Sequence, residues 1–270
     1  MVLFPNCKIN LGLQILGKRE DGYHELETVF YPINLKDGLE VISDESLSET
    51  AFTQSGNILA GELEDNLCLK AFRLLKEDYP QIPHCRIHLH KAIPDRAGLG
   101  GGSSDAAFTL KLLNEKFNLK IGEPGLLRYA LQLGSDCPFF IINKPCLAGG
   151  RGENLHPLFL ELSQYKLLLI HPGIGIETKK AFAGLNIKLS GRGSLADLIS
   201  LPVESWRDHL VNDFEASIFP SYPEIANIKK TLYDHGAIYA SMSGSGSSVY
   251  GLFDKESVIT FPPHYFQKWI

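Results

Sequence analysis

Apolar and polar residues alternate near the N-terminus. Ile9, Leu11, Leu13 and Ile15 are separated by Lys8, Asn10, Gly12 and Gln14, a period of two that predicts a strand with Lys8 and Asn10 sharing the face opposite the apolar residues. After Asp21-Gly22, the β-formers Thr28, Val29, Phe30, Tyr31 and Ile33 predict a strand over 23–35, and Asp37-Gly38 turns the chain into a third, LEVIS. Leu67, Ala71, Leu74 and Leu75 fall on one side of a helix beginning near Asn66, with Asp65 as its expected N-cap. RIHLHK at 86–91 alternates again as a strand. Ala106, Leu110, Leu113 and Phe117 predict a helix over 106–117, and a further helix covers 125–133 with Gly134 just past its end. Beyond it KLLLIHPG reads as strand, SLADLIS as helix and 223–235 as a helix stopped by Gly236, while IYASM and VYGLF flank a glycine-serine loop as two strands. The glycine-rich LAGGRGENLHP at 147–157 is expected to be the passage between two domains, 1–150 and 151–270.

The composition, 44% apolar and 21% charged over 270 residues, is that of a soluble globular protein and excludes the disordered and fibrous classes. No apolar run approaches the ~18 residues needed to cross a bilayer. The N-terminus also lacks the basic segment of a secretory signal, so a cytoplasmic protein without a membrane partner is expected. With 26 basic and 31 acidic residues and no block of like charge, the net charge of −5 argues against a nucleic-acid partner and requires any anionic ligand to be held by a local site. The 5 cysteines include no C-x-x-C pair, which fits reduced thiols and predicts no structural zinc.

One segment offers such a local site. PDRAGLGGGSSDAAFT, residues 94–109, places bare backbone directly before a helix, where free N–H groups and the helix dipole favour an anion. Neither familiar phosphate motif fits: Gly102 is followed by Ser103-Ser104-Asp105 and not by lysine, and both frames of G-x-G-x-x-G fail at their third glycine. Ser103 and Ser104 add hydroxyls able to bond a phosphate or a metal; a surface loop with a serine N-cap is the ordinary alternative. SGSGSSVYG at 243–251, closely bounded by strand residues, is either a second backbone-donor loop or a plain hairpin loop.

Lys8 on its strand face reads first as a solvated lysine, and Asp136 as a turn-forming aspartate or a carboxylate at a strand edge. If both faced the phosphate loops, the lysine would keep the aspartate ionised beside a substrate hydroxyl, the arrangement that phosphoryl transfer needs. His88 and His90 share a strand face and could form half of a metal site, but no third ligand accompanies them.

PNCKINLGL (5–13), RxDGYHELETVF (19–30), IPDRAGLGGGSSDAA (93–107), GSDCPFF (134–140), HPGIGIET (171–178), NDFE (212–215) and SGSGSSVYG together resemble the GHMP kinase superfamily. DGYHELETVF and the Gly134-Ser135-Asp136 step resemble most specifically the branch that phosphorylates the C2 hydroxyl of a methylerythritol bearing cytidine diphosphate. The resemblance implies an α+β, two-domain GHMP kinase fold, with an N-terminal ATP-binding domain containing a left-handed βαβ unit and a C-terminal ferredoxin-like domain. It implies ATP as phosphate donor, Mg²⁺, and a small-molecule substrate, and leaves the oligomeric state open.

Residue by residue, the resemblance makes Lys8 and Asp136 the catalytic pair. It makes Pro94, Asp95, Arg96, Ala97, Gly98, Leu99, Gly100, Gly101, Gly102, Ser103, Ser104 and Asp105 the ATP phosphate loop, with Asn66 and Lys91 near the nucleotide and Ser104 a metal ligand. Asn10, Tyr23, His24, Phe30, Thr178 and Phe182 would line the cytidine and methylerythritol side, and Gly244 and Ser245 would complete the phosphate region. Two stretches depart from the pattern: Asp95-Arg96 stands where small or apolar residues are usual, and Pro262-Pro263 interrupts an expected C-terminal helix. The rival readings are a related kinase for homoserine or mevalonate and, from another class, a non-catalytic nucleotide- or RNA-binding module.

Overall fold

The computed structural model describes residues 1–57, 63–185, 193–256 and 258–270. They pack as two compact units, one formed by residues 1–7, 34–95 and 100–144, the other by 8–33, 96–99 and 145–270. Compactness therefore groups Lys8–Ile33 with the C-terminal half of the chain. The cause is strand pairing: β2 (Asn6–Lys18) and β3 (His24–Lys36) form one sheet with β7 (Cys146–Gly149) and β8 (Asn154–Pro157), in the order β2-β3-β7-β8.

The first unit carries β1 (Val2–Leu3), β4 (Gly38–Ser43), β5 (Ala51–Gly56) and β6 (Cys85–Lys91) in the order β1-β4-β6-β5. β5 and β6 are parallel and joined through α1 (Leu67–Asp78), which makes a βαβ unit. α2 (Gly101–Lys116), α3 (Glu123–Leu133) and α4 (Cys137–Ile142) complete it, and α2 packs on α1, α3 and α4. Along β6 the buried positions are Cys85, Ile87, Leu89 and Lys91, so strict alternation places a lysine on the same buried face as three apolar side chains.

In the second unit, β9 (Lys166–His171), β10 (Tyr239–Met242), β11 (Val249–Phe253) and β12 (Phe266–Trp269) form an antiparallel sheet ordered β10-β11-β9-β12. The helices that follow β9 in the chain are α5 (Thr178–Ala183), α6 (Leu195–Ile199), α7 (Trp206–His209), α8 (Phe214–Ile218) and α9 (Pro223–Asp234). Its core gathers Leu168 and Ile170 of β9, Phe214 and Ile218 of α8, Ile225, Ile228 and Leu232 of α9, and Met242, Val249 and Phe253. Among the described residues no helix is long and apolar enough to cross a membrane. All 5 cysteines are buried free thiols, as expected of a reduced protein.

Several local expectations are corrected. The α1 N-cap is Asn66, whose side chain accepts from Cys68 N–H at 2.8 Å, while Asp65 lies in a preceding 3₁₀ turn and binds Lys70. A carboxamide caps as well as a carboxylate, so the two neighbours could not be separated by type alone. CPFFII, to which the sequence assigned no element, is the helix α4, so of the two readings of Asp136 the turn holds and the strand edge does not. LAGGRGENLHP, expected to be a glycine-rich passage, contains the β7–β8 hairpin, with Cys146 opposite Pro157 and Gly149 opposite Asn154. The tail after Pro263 is the strand β12 and not a helix, because two adjacent prolines prevent a helix but leave the following residues free to pair. Trp269 of this strand meets Phe253 edge-on at 5.2 Å between ring centroids. Because Trp269 is only partly buried, Trp269→Ala should cost about 2 kcal/mol, below the ~3–5 kcal/mol typical of fully buried rings. Urea denaturation at constant m-value checks this.

Candidate active site

α2 begins at Gly101, one full turn earlier than apolar spacing predicts, so Gly101, Gly102, Ser103, Ser104 and Asp105 are helical and not loop. Its N-cap position is Gly100 at φ 68°, with no side-chain cap. The serine N-cap alternative is thereby excluded. The first helix-closing bond is Ser104 N–H to Gly100 O at 2.9 Å, which leaves the N–H groups of Gly101, Gly102 and Ser103 at the positive end of a 16-residue helix without helical acceptors. Ser104 Oγ is fully buried and has no hydrogen-bond partner. A buried hydroxyl of that kind is costly unless a ligand satisfies it.

Behind this helix start lies a buried charge cluster. Lys91 Nζ donates to Asp105 Oδ2 at 2.7 Å and to Asp37 Oδ2, with all 3 side chains at most 2% exposed. Burial alone would lower the Lys91 pKa, but the charges of Asp105 and Asp37 outweigh it and raise the value above that of an ordinary lysine. Burial pushes Asp105 up to about 7, with the Asp37 charge adding to burial and Lys91 opposing both. Lys91 is thus committed to carboxylates. Asn66 likewise spends its side-chain oxygen on capping α1. Asp136 sits half-buried in the turn Gly134–Asp136 that starts α4 and makes no capping bond with its side chain.

In the second unit, the segment 96–99 is stitched to the glycine-serine loop between β10 and β11. Ser243 Oγ donates to Gly98 O at 2.8 Å, and Ser248 N–H to Ala97 O at 3.1 Å. Gly98 has φ 75°, and a Cβ built there would lie 2.0 Å from Ser243 O, so both conformation and space require glycine. Lys8 N–H donates to Leu99 O at 3.0 Å. Its Nζ donates to Asn10 Oδ1 at 2.6 Å and reaches Gly98 O at 3.4 Å, 4.7 Å from the centroid of Phe30.

Lys8 and Asn10 are 3% and 2% exposed, which corrects the solvated-face reading: this part of β2 is buried on both faces. Asn10 Nδ2 donates to Thr28 Oγ1 at 2.9 Å, so both ends of its carboxamide are engaged. Tyr250 OH donates to Asn10 O at 2.8 Å, and Asn212 Nδ2 donates to the carbonyls of Met242 and Gly244, both at 2.8 Å. Thr28, Tyr250 and Asn212 were missed in the sequence because each acts by hydrogen bonding to a residue distant in the chain.

Among the remaining expected residues of this unit, two pairs are in contact. His24 stacks on Phe182 with ring centroids 4.5 Å apart, and Thr178 Oγ1 lies 3.2 Å from Ser245 Oγ. Tyr23 is 56% exposed, with the guanidinium of Arg151 4.9 Å from its ring centroid. His88 and His90 form no metal site among the described residues: His88 bonds Thr53 and Ser55, and His90 bonds Ser55.

The model of GHMP kinases N terminal domain matches residues 66–144, and that of GHMP kinases C terminal matches 186–261. A 4-diphosphocytidyl-2-C-methyl-D-erythritol kinase of Azobacteroides pseudotrichonymphae is 52% identical over 255 residues, 94% of each chain. One of Bacteroides fragilis is 52% identical over 261 residues, covering 96% of this chain and 94% of that one. The chain belongs to the GHMP kinase family. A crystal structure of 4-(cytidine 5'-diphospho)-2C-methyl-D-erythritol kinase superposes with a TM-score of 0.79 at 31% identity, covering 93% of this chain and 90% of that one. Membership in this family makes the chain a small-molecule kinase with ATP as phosphate donor, and excludes the non-catalytic module. The glycine segment that opens α2 lies within the matched N-terminal domain, and the glycine-serine loop at 243–248 lies within the matched C-terminal domain.

Because Gly98 tolerates no Cβ, Gly98→Ala should weaken ATP binding by about tenfold or more, equivalent to ~1.4 kcal/mol. Calorimetric titration of the folded variant with ATP checks this.

Proposed function

We propose that this kinase phosphorylates the C2 hydroxyl of 4-diphosphocytidyl-2-C-methyl-D-erythritol, in the non-mevalonate route to isoprenoid precursors and in the cytoplasm. The observation that carries the acceptor's identity is 52% identity, over nearly the whole chain, to kinases named for that substrate. Solved homoserine and mevalonate kinases are 18% and 14% identical, a likeness of fold alone. The deciding experiment follows ADP release with the cytidylated acceptor and with methylerythritol phosphate. Turnover should require the cytidine, and equal rates on both would overturn this acceptor.

The γ-phosphate would rest on the N–H groups of Gly101, Gly102 and Ser103, which need no reorganisation to receive negative charge. The unpartnered Ser104 Oγ suits a bond to phosphate or to Mg²⁺. Bound there, Mg²⁺ would neutralise charge developing on the transferred group. Lys8, held by Asn10 and Gly98 O, would orient the acceptor hydroxyl, and Asp136 would accept its proton. In a loose transition state that proton leaves late, so orientation matters as much as basicity.

Asp136→Asn should lower kcat by about 10² to 10⁴-fold with ATP binding preserved. Lys8→Met should act in the same direction, and the double variant should be scarcely worse than the poorer single, because both residues serve one hydroxyl. Single-turnover rates at saturating ATP test this: fully multiplicative losses would separate the pair. On the cytidine side, Tyr23→Ala or Phe182→Ala should raise KM for the acceptor by an amount corresponding to about 1–3 kcal/mol, leaving KM for ATP unchanged. A change confined to ATP would remove these rings from the base site.

A further inference from the structure

Asp37 stands at the β3–β4 junction, where Asp37-Gly38 has the ordinary composition of a turn. The structure makes it more than that. It is 1% exposed, and its backbone N–H donates to Pro5 O at 2.8 Å. Its Oδ1 accepts from two successive backbone groups, Ala92 N–H at 2.6 Å and Ile93 N–H at 2.8 Å. Its Oδ2 takes the ammonium of Lys91. These three donors, residues 91–93, are the exit of β6 and immediately precede Pro94, where the phosphate loop begins.

We infer that Asp37 is the positioning residue for the phosphate loop: one carboxylate clamps the backbone entering the loop and, through Lys91, ties it to Asp105 in the first turns of the helix leaving it. This rests on the reading of Gly101–Ser103 as the phosphate cradle. The inference follows from what the cradle lacks. Its donors are main-chain groups with no side chains to lock them, and Gly100 and Gly101 contribute no Cβ packing, so their direction depends on how the chain enters and leaves.

On the entering side, Ala92 and Ile93 are past the last paired residue of β6, and without Asp37 their N–H groups would have no acceptor within the sheet. On the leaving side, Asp105 Oδ2 is anchored by Lys91 at 2.7 Å. Lys91 Nζ also lies 3.3 Å from where a Gly101 Cβ would project, so the ammonium backs the first residue of the helix directly. The Lys91 side chain therefore acts on the cradle through Asp37 and Asp105. A charged acceptor suits the task because its hydrogen bonds are shorter and stronger than neutral ones, and burial spares them competition from water.

The test compares Asp37→Ala, which removes the clamp, with Asp37→Asn, which keeps an acceptor oxygen for Ala92 and Ile93, by titrating each folded variant with ATP and measuring kcat and both KM values. Asp37→Ala should weaken ATP binding about tenfold, the loss expected for charge-assisted bonds of about 1.5 kcal/mol, and leave KM for the acceptor and kcat at saturating ATP within threefold. Asp37→Asn should recover most of that affinity. Asp44→Asn, which breaks the Arg86 pair at 2.8 Å on the same sheet, should leave ATP binding unchanged. Where Asp37→Ala does not fold, Asp37→Ser, whose hydroxyl is too short to reach both N–H groups, replaces it with the same expectation. Wild-type affinity in Asp37→Ala or Asp37→Ser overturns the inference, as does an Asp37→Asn variant as weak as the truncation or a loss shared equally by ATP and acceptor. If wild-type protein itself fails to bind ATP, the cradle reading falls first, so the two failures are told apart.

Discussion

A phosphate site made of main-chain N–H groups can be no better than the backbone that aims them. In the proposed cradle glycine clears side chains from the approach, and it also loosens the backbone, since each glycine loses the most conformational freedom on ordering. The fold answers with fixed points outside the cradle. In the first unit these are the bonds of residues 91–93 to Asp37 and of Lys91 to Asp105. Within the second unit, the carbonyls of Ala97, Gly98 and Leu99 accept from Ser248 N–H, Ser243 Oγ and Lys8 N–H.

Buried charge is used with the same economy in both units. Lys91 is surrounded by carboxylates, and its ammonium is held charged by neighbours in a place where burial would favour loss of the proton. Lys8 donates to an amide oxygen and a carbonyl and lies over the face of Phe30. Lys91 thus belongs to a buried ion cluster, whereas Lys8 is the cation proposed to meet the acceptor hydroxyl. Asn10 links these roles chemically, because its carboxamide orients Lys8 while its backbone accepts from Tyr250 and donates to Ser243.

Much of this was legible in the chain. Period-two alternation placed β2 and β6, helical spacing placed α1, terminal glycines marked the ends of α3 and α9, and the spacing of glycines and serines marked a phosphate loop that fitted neither familiar motif. The misreadings share a cause. Lys8 was assigned to a wet face because alternation shows which residues share a side, not whether that side is covered. A short apolar run such as CPFFII carries no period of its own, so its helix is decided by packing, and the pairing across LAGGRGENLHP likewise lies in the structure.

The sequence by itself determined the family, the order of most elements and the location of the backbone donors, because those depend on residues close together in the chain. Only the tertiary structure decided the role of the polar side chains. Asp37 became a clamp and not merely a turn residue, Asn66 a helix cap, and Lys91 a partner of carboxylates. Asn10 became the brace of Lys8. The physical reason is that a polar group's function is set by which partner replaces water when it is buried, and for Asp37 and Lys91 those partners lie 54 residues apart.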